Sequence, residues 1–110
     1  MTPEERELVA RFEASLRGKL VHGGPSGSVC LFTPDDMYSH SHATDPSTPD
    51  GREWWAEALK MDVVRFFNIY GDIIRWEASP WMYPEQAHKD RAEAIIAAVI
   101  QAARQWEKSQ

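Results

Sequence analysis

Leu8, Val9, Phe12 and Leu16 recur at intervals of three and four, the spacing of one apolar helix face. Thr2-Pro3-Glu4-Glu5 precedes them and supplies a capping hydroxyl, a proline suited to the first helical position, and two acids for the positive end of the helix dipole. Gly18, between Arg17 and Lys19, has the chemistry of a stop, so the pattern predicts a helix over 3–17. A second stripe, His88, Ala92, Ile95, Ile96, Val99, Ala103 and Trp106, predicts a terminal helix over 84–107, with Pro84 at its start and Arg104 and Lys108 at its negative end.

Between these helices the pattern changes period. Leu20-Val21-His22 and Val29-Cys30-Leu31-Phe32 are short runs of strand formers around Gly23-Gly24-Pro25-Ser26-Gly27, which predicts a hairpin over 19–33. Residues 33–50 hold three prolines, many Ser, Thr and Asp residues and little apolar surface, and read as a mobile acidic loop with room for one short strand near 37–42. Asp50-Gly51-Arg52-Glu53 has capping-box spacing and opens a helix over 51–60 with Trp55, Ala58 and Leu59 inward. In 62–78 two periods compete. Trp55, Leu59, Val63, Phe66 and Tyr70 keep helical spacing, but the density of β-branched and aromatic residues favours a second hairpin with strands near 62–70 and 72–78. Ser79 to Pro84 is a connector. The resulting expectation is a single α+β domain over 1–110, with an antiparallel sheet of about four strands in α-β-β-α-β-β-α order and the terminal helices packed on one face.

Charge sharpens this picture. The 110 residues carry 12 Lys+Arg and 17 Asp+Glu, a formal charge of −5. Residues 1–19, 51–83 and 84–110 are balanced or nearly so, whereas 20–50 contain Asp35, Asp36, Asp45 and Asp50 and no Lys or Arg. Four of the five excess negative charges therefore lie in one stretch. Such a stretch repels phosphate backbones, which argues against direct nucleic-acid backbone binding, and attracts a basic protein surface or a cation. No apolar run approaches membrane-spanning length, and the charged N-terminal residues do not read as a signal peptide. One cysteine excludes an internal disulfide and fits a cytoplasmic location.

Candidate chemistry is sparse. His40 and His42, two apart, would share one side of a strand and with an aspartate could hold a divalent metal, although two histidines in a Ser-rich loop are more often simply solvated. Cys30 in an apolar run reads as a small buried hydrophobe, and the glycine cluster lacks the Lys-Ser/Thr ending of a phosphate loop. No spacing picks out a Ser-His-Asp, Cys-His or paired-carboxylate catalytic set. Aromatic residues carry more information. Of five tryptophans, Trp55, Trp76 and Trp106 fall at inward positions, while Trp54 and Trp81 are harder to bury. Trp81-Met82-Tyr83 sits between Pro80 and Pro84, which stiffen it, and these residue types serve as binding anchors or as a cap over the sheet end.

These observations favour a non-catalytic protein-binding module that needs no cofactor. It would meet a basic partner through Asp35, Asp36 and Asp45 and hold it with Trp81, Met82, Tyr83 and Trp54. In size, charge and element order the layout is similar to secretion chaperones, and in size and charge to immunity proteins and inhibitors encoded by phages, with no motif carrying the likeness. The competing readings are a metal-dependent enzyme built on His40 and His42, and a small-molecule pocket lined by the surplus aromatics. An Ala-rich helix face, Ala97, Ala98 and Ala102, offers a route to a homodimer.

Overall fold

The structure, a computed structural model, describes residues 1–21 and 45–110, with side chains outside 17–21. Helix α1 (Pro3–Val21) opens with the Thr2 cap its sequence predicts, and the cap is reciprocal: the Thr2 hydroxyl accepts from the Glu5 N–H (3.2 Å), and the Glu5 carboxylate accepts from the Thr2 N–H (2.8 Å). Helix α2 (Pro49–Ala58) begins with the same Thr-Pro pair. Thr48 is its N-cap and accepts from the Gly51 N–H at 3.1 Å, so the helix starts two residues before the predicted Gly51. Strands β1 (Asp62–Phe67), β2 (Ile73–Ser79) and β3 (Gln86–His88) form an antiparallel sheet in the order β1-β2-β3. Helix α3 (Arg91–Lys108) is capped by the Asp90 carboxylate, which accepts from the Glu93 N–H at 3.3 Å.

The protein is therefore α+β, as the periodicities imply, with three helices and three antiparallel strands among the described residues. Two further differences from the predicted elements move residues from one element type to another. First, α1 runs through Gly18 to Val21, so Leu20 and Val21 are helical rather than the start of a strand. A glycine inside a helix costs about 1 kcal/mol, which one further turn of backbone bonding can outweigh. Beyond Val21, the predicted 19–33 hairpin lies outside the described residues. Second, the terminal helix starts at Arg91, not Pro84. Residues 86–88 pair instead with β2 (Trp76 with His88, Ala78 with Gln86), which places His88 on an exposed strand and not on the helix stripe. Pairing there satisfies backbone groups along β2, a non-local gain that helical spacing cannot register.

Helix α3 is the centre of the fold. It packs against β2 and β3, and also against α1 and α2. Ala94, Ile95, Ala98, Val99, Ala102 and Ala103 are all fully buried, a broader apolar face than one stripe provides. This burial takes Ala98 and Ala102 into the core and away from the homodimer face expected of them. Only one of the two terminal helices covers the sheet extensively; α1 lies chiefly against α3. The two are tied by Arg104 to Glu5 (3.1 Å) and Arg11 to Glu107 (3.7 Å), and α2 is tied to α3 by Arg91 to Glu53 (3.0 Å). These exposed pairs are worth at most about 1 kcal/mol each; apolar burial holds the layers together.

Candidate functional site

An aromatic junction positions the connector. Phe12 of α1 is fully buried, with its ring centroid 5.4 Å from Trp55 of α2, 5.5 Å from Trp106 of α3 and 5.9 Å from Tyr83, which it meets edge-on. Tyr83 is thereby fixed as a half-buried cap on the core, and desolvation pushes its phenol pKa up. The residues before it are held from both sides. The Trp81 N–H donates to the Leu59 carbonyl (3.0 Å) at the end of α2, and the Tyr83 N–H donates to the Pro80 carbonyl (3.4 Å) across a tight turn. The Ser79 hydroxyl donates to the Glu85 carboxylate (3.3 Å) and closes the loop at its base.

The side chains between these anchors face water. Trp81 is 61% exposed and Met82 77%. Lys60 stands over the Trp81 ring with its ammonium 5.4 Å from the centroid. Among the described residues, two that are not glycine have positive φ: Lys60 (49°), which ends α2 with its own N–H donating to the Glu57 carbonyl and that of Met61 donating to the Ala56 carbonyl, and Met82 (69°), which follows Trp81 in the connector. A side chain in this left-handed region costs roughly 1–2 kcal/mol. Strain of that size persists only where the surroundings over-determine it, and it concentrates at binding and switch positions.

The other expected site residues are distributed differently. Trp54 is 9% exposed, meets Trp55 edge-on at 4.9 Å and belongs to the core, so it is not an exposed anchor. The end of the acidic segment, expected to be a mobile loop, is a hydrogen-bonded turn leading into α2. There the Asp45 carboxylate accepts from the Ser47 N–H (2.9 Å) and hydroxyl (2.6 Å) and pairs with Arg6 (3.2 Å). The Ser47 bonds first, then Arg6, hold its pKa below the ordinary carboxylate value. Asp45 is thus engaged by Ser47 and Arg6 of the scaffold itself. Asp35, Asp36, His40, His42 and Cys30 lie outside the described residues. Among the described residues no group of three or more His, Cys, Asp or Glu side chains could hold a metal, and no helix is long and apolar enough to cross a membrane. The core aromatics pack on one another, and the cleft beside α1, about 160 Å³, is lined by Met1, Arg6, Val9, Ala10, Glu13, Asp45 and Pro46, with no aromatic among them.

A second exposed region escaped the sequence reading. Val63 with Ala78, Arg65 with Trp76 and Phe67 with Ile73 share the sheet face that α3 covers. Exposure rises along that face from fully buried Ala78 to Ile73 at 47% and Phe67 at 50%. The alternation of side chains was legible; the point where helical cover ends was not. No known family matches this chain, and neither does any curated protein or solved structure.

Proposed function

We propose that the chain is a non-catalytic protein-binding module whose anchor is the Trp81-Met82 connector. The observation that carries this reading is an indole that stays 61% exposed, next to the left-handed Met82, although the tyrosine two residues later is packed into the core. An element pinned at both ends and strained at its apex presents its side chains in one geometry, so little conformational entropy is lost on contact. Tryptophan offers a large amphipathic surface and methionine adapts to irregular ones. The formal charge of −5 favours a partner with a basic surface, which long-range attraction would steer.

Affinity capture followed by mass spectrometry, with wild type beside Trp81→Ala and Met82→Ala, tests this reading. A basic protein retained by wild type and depleted with Trp81→Ala supports it. Association that slows as ionic strength rises from about 0.01 M to about 0.15 M supports the steering. Retention indifferent to both substitutions would overturn the anchor.

A further inference from the structure

The β1–β2 hairpin ends in a turn, residues 68–72, that is bonded rather than slack. The Asn68 side-chain carbonyl accepts from the N–H groups of Tyr70 (2.9 Å) and Asp72 (3.0 Å), while the Asn68 N–H donates to the Asp72 carbonyl (2.9 Å). Gly71 supplies the left-handed residue that the turn requires (φ 84°). This frame holds Ile69 and Tyr70 outward at 91% and 82% exposure, beside Phe67, Ile73 and Ile74 at 45–50%. With large side chains presenting on the order of 150 Å² or more each, these fractions amount to roughly 500 Å² of exposed surface at one hairpin end, at the upper end of the apolar patch a monomer shows.

We infer that this hairpin end, with the edge of β1 that is unpaired among the described residues, is the contact surface for a second copy of the chain. Three observations select that occupant. Doubling the patch across a two-fold axis buries roughly 1,000 Å², the size at which a specific interface begins. Strand β1 has no neighbour on its outer side among the described residues, and an antiparallel edge can pair with its own copy. Finally, the charge is suited to self-contact. The chain carries −5 overall, yet residues 62–78 hold Arg65 and Arg75 against Asp62, Asp72 and Glu77 and sum to only −1. Those charges are also absorbed locally: Arg75 pairs with Glu77 (3.3 Å) and lies over Phe66 (4.3 Å), and Arg65 lies over Phe67 and Trp76 (5.5 and 5.7 Å). Two copies meeting here bring little net charge together, whereas contact through the acidic segment would join two stretches that hold four aspartates and no Lys or Arg. The surface lies at the end of the sheet opposite Trp81, so a dimer presents two connectors.

Sedimentation equilibrium of the full chain across a wide concentration range tests this. The expected result is a concentration-dependent rise toward twice the 12.6 kDa monomer mass. The double variant Ile69→Ser, Tyr70→Ser changes only solvent-facing side chains and is expected to weaken dimerisation by about tenfold or more with an unchanged far-UV spectrum. Amide exchange in β1 should slow with concentration in wild type but not in the double variant. A wild type that stays monomeric throughout, or a dimer the double variant leaves intact, overturns the inference. So does a monomer that co-sediments with phosphatidylcholine vesicles through Ile69 and Tyr70, which would assign the tip to a lipid surface.

Discussion

Replacing Phe12 probes the junction on which both the core and the connector depend. The ring is fully buried and touches Trp55, Trp106 and Tyr83, so it joins α1, α2, α3 and the connector. Phe12→Ala removes the transfer energy of a buried ring and leaves a cavity, together costing about 3–5 kcal/mol. Phe12→Leu keeps most of the volume but gives up three ring contacts of about 0.5–1.5 kcal/mol each, partly offset by repacking, for a net loss of about 1–2 kcal/mol. A domain of this length has about 5–15 kcal/mol of stability in total, so the alanine variant is expected to lose roughly a third or more. Urea unfolding followed by tryptophan emission is a suitable assay, because Trp55 and Trp106 lie against the altered site. With a slope of about 1–3 kcal/mol per molar urea, the midpoint should fall by roughly 2 M for Phe12→Ala and by under about 1 M for Phe12→Leu. Loss of the Tyr83 contact should also speed exchange of the Trp81 amide, whose bond to Leu59 is part of the same anchorage. A midpoint shift for Phe12→Ala equivalent to less than about 1 kcal/mol would refute the view that this ring organises the fold.

Three further predictions follow from local geometry. A β-carbon on Gly51 would collide with the backbone carbonyl of Asp45, so Gly51→Ala should destabilise by about 2 kcal/mol or more, measured by the same unfolding curve. Met82→Gly should relieve roughly 1–2 kcal/mol of left-handed strain against a glycine entropy cost of about 0.5–1 kcal/mol, for a net gain of about 0.5 kcal/mol; a clear loss would show that Met82 is held without strain. Glu5, lowered chiefly by the Thr2 backbone bond, and Asp45, lowered chiefly by the Ser47 hydroxyl, both titrate below their unfolded values. Their contribution is therefore complete above the ordinary carboxylate range and is lost as pH falls through the lower, folded values. Asp45→Asn should flatten the dependence of the urea midpoint on pH below about 4, and an unchanged slope would contradict the role of its bonds.

Much of this architecture can be read from the chain because it is locally encoded. Thr2-Pro3 and the Leu8, Val9, Phe12 and Leu16 stripe specify the start and the buried face of α1 without reference to anything distant. The β-branched and aromatic run at 62–67, broken by Asn68 to Asp72, specifies the hairpin over the competing helix. What was illegible depends on partners far along the chain. Residues 86–88 become a strand because β2 offers a free edge, and Ala98 and Ala102 are buried because helices and sheet flank α3 on two sides. Trp54 looked hard to bury, yet the core takes both consecutive indoles, one edge-on to the other. Of the connector, the two prolines were visible in the sequence. That Tyr83 would turn inward while Trp81 and Met82 stay out was not, because it depends on Phe12 some seventy residues earlier in the chain.

Under the proposed function, partner binding is anchored at Trp81 and not at the hairpin tip. The direct measurement is the affinity of the captured basic partner for three folded proteins: wild type, Trp81→Ala, and the Ile69→Ser, Tyr70→Ser double variant. Loss of a central aromatic anchor costs about 2 kcal/mol, so Trp81→Ala should bind roughly 30-fold more weakly, while the tip variant binds at the wild-type intrinsic affinity. Equal affinity for wild type and Trp81→Ala, or a loss confined to the tip variant, would contradict the account.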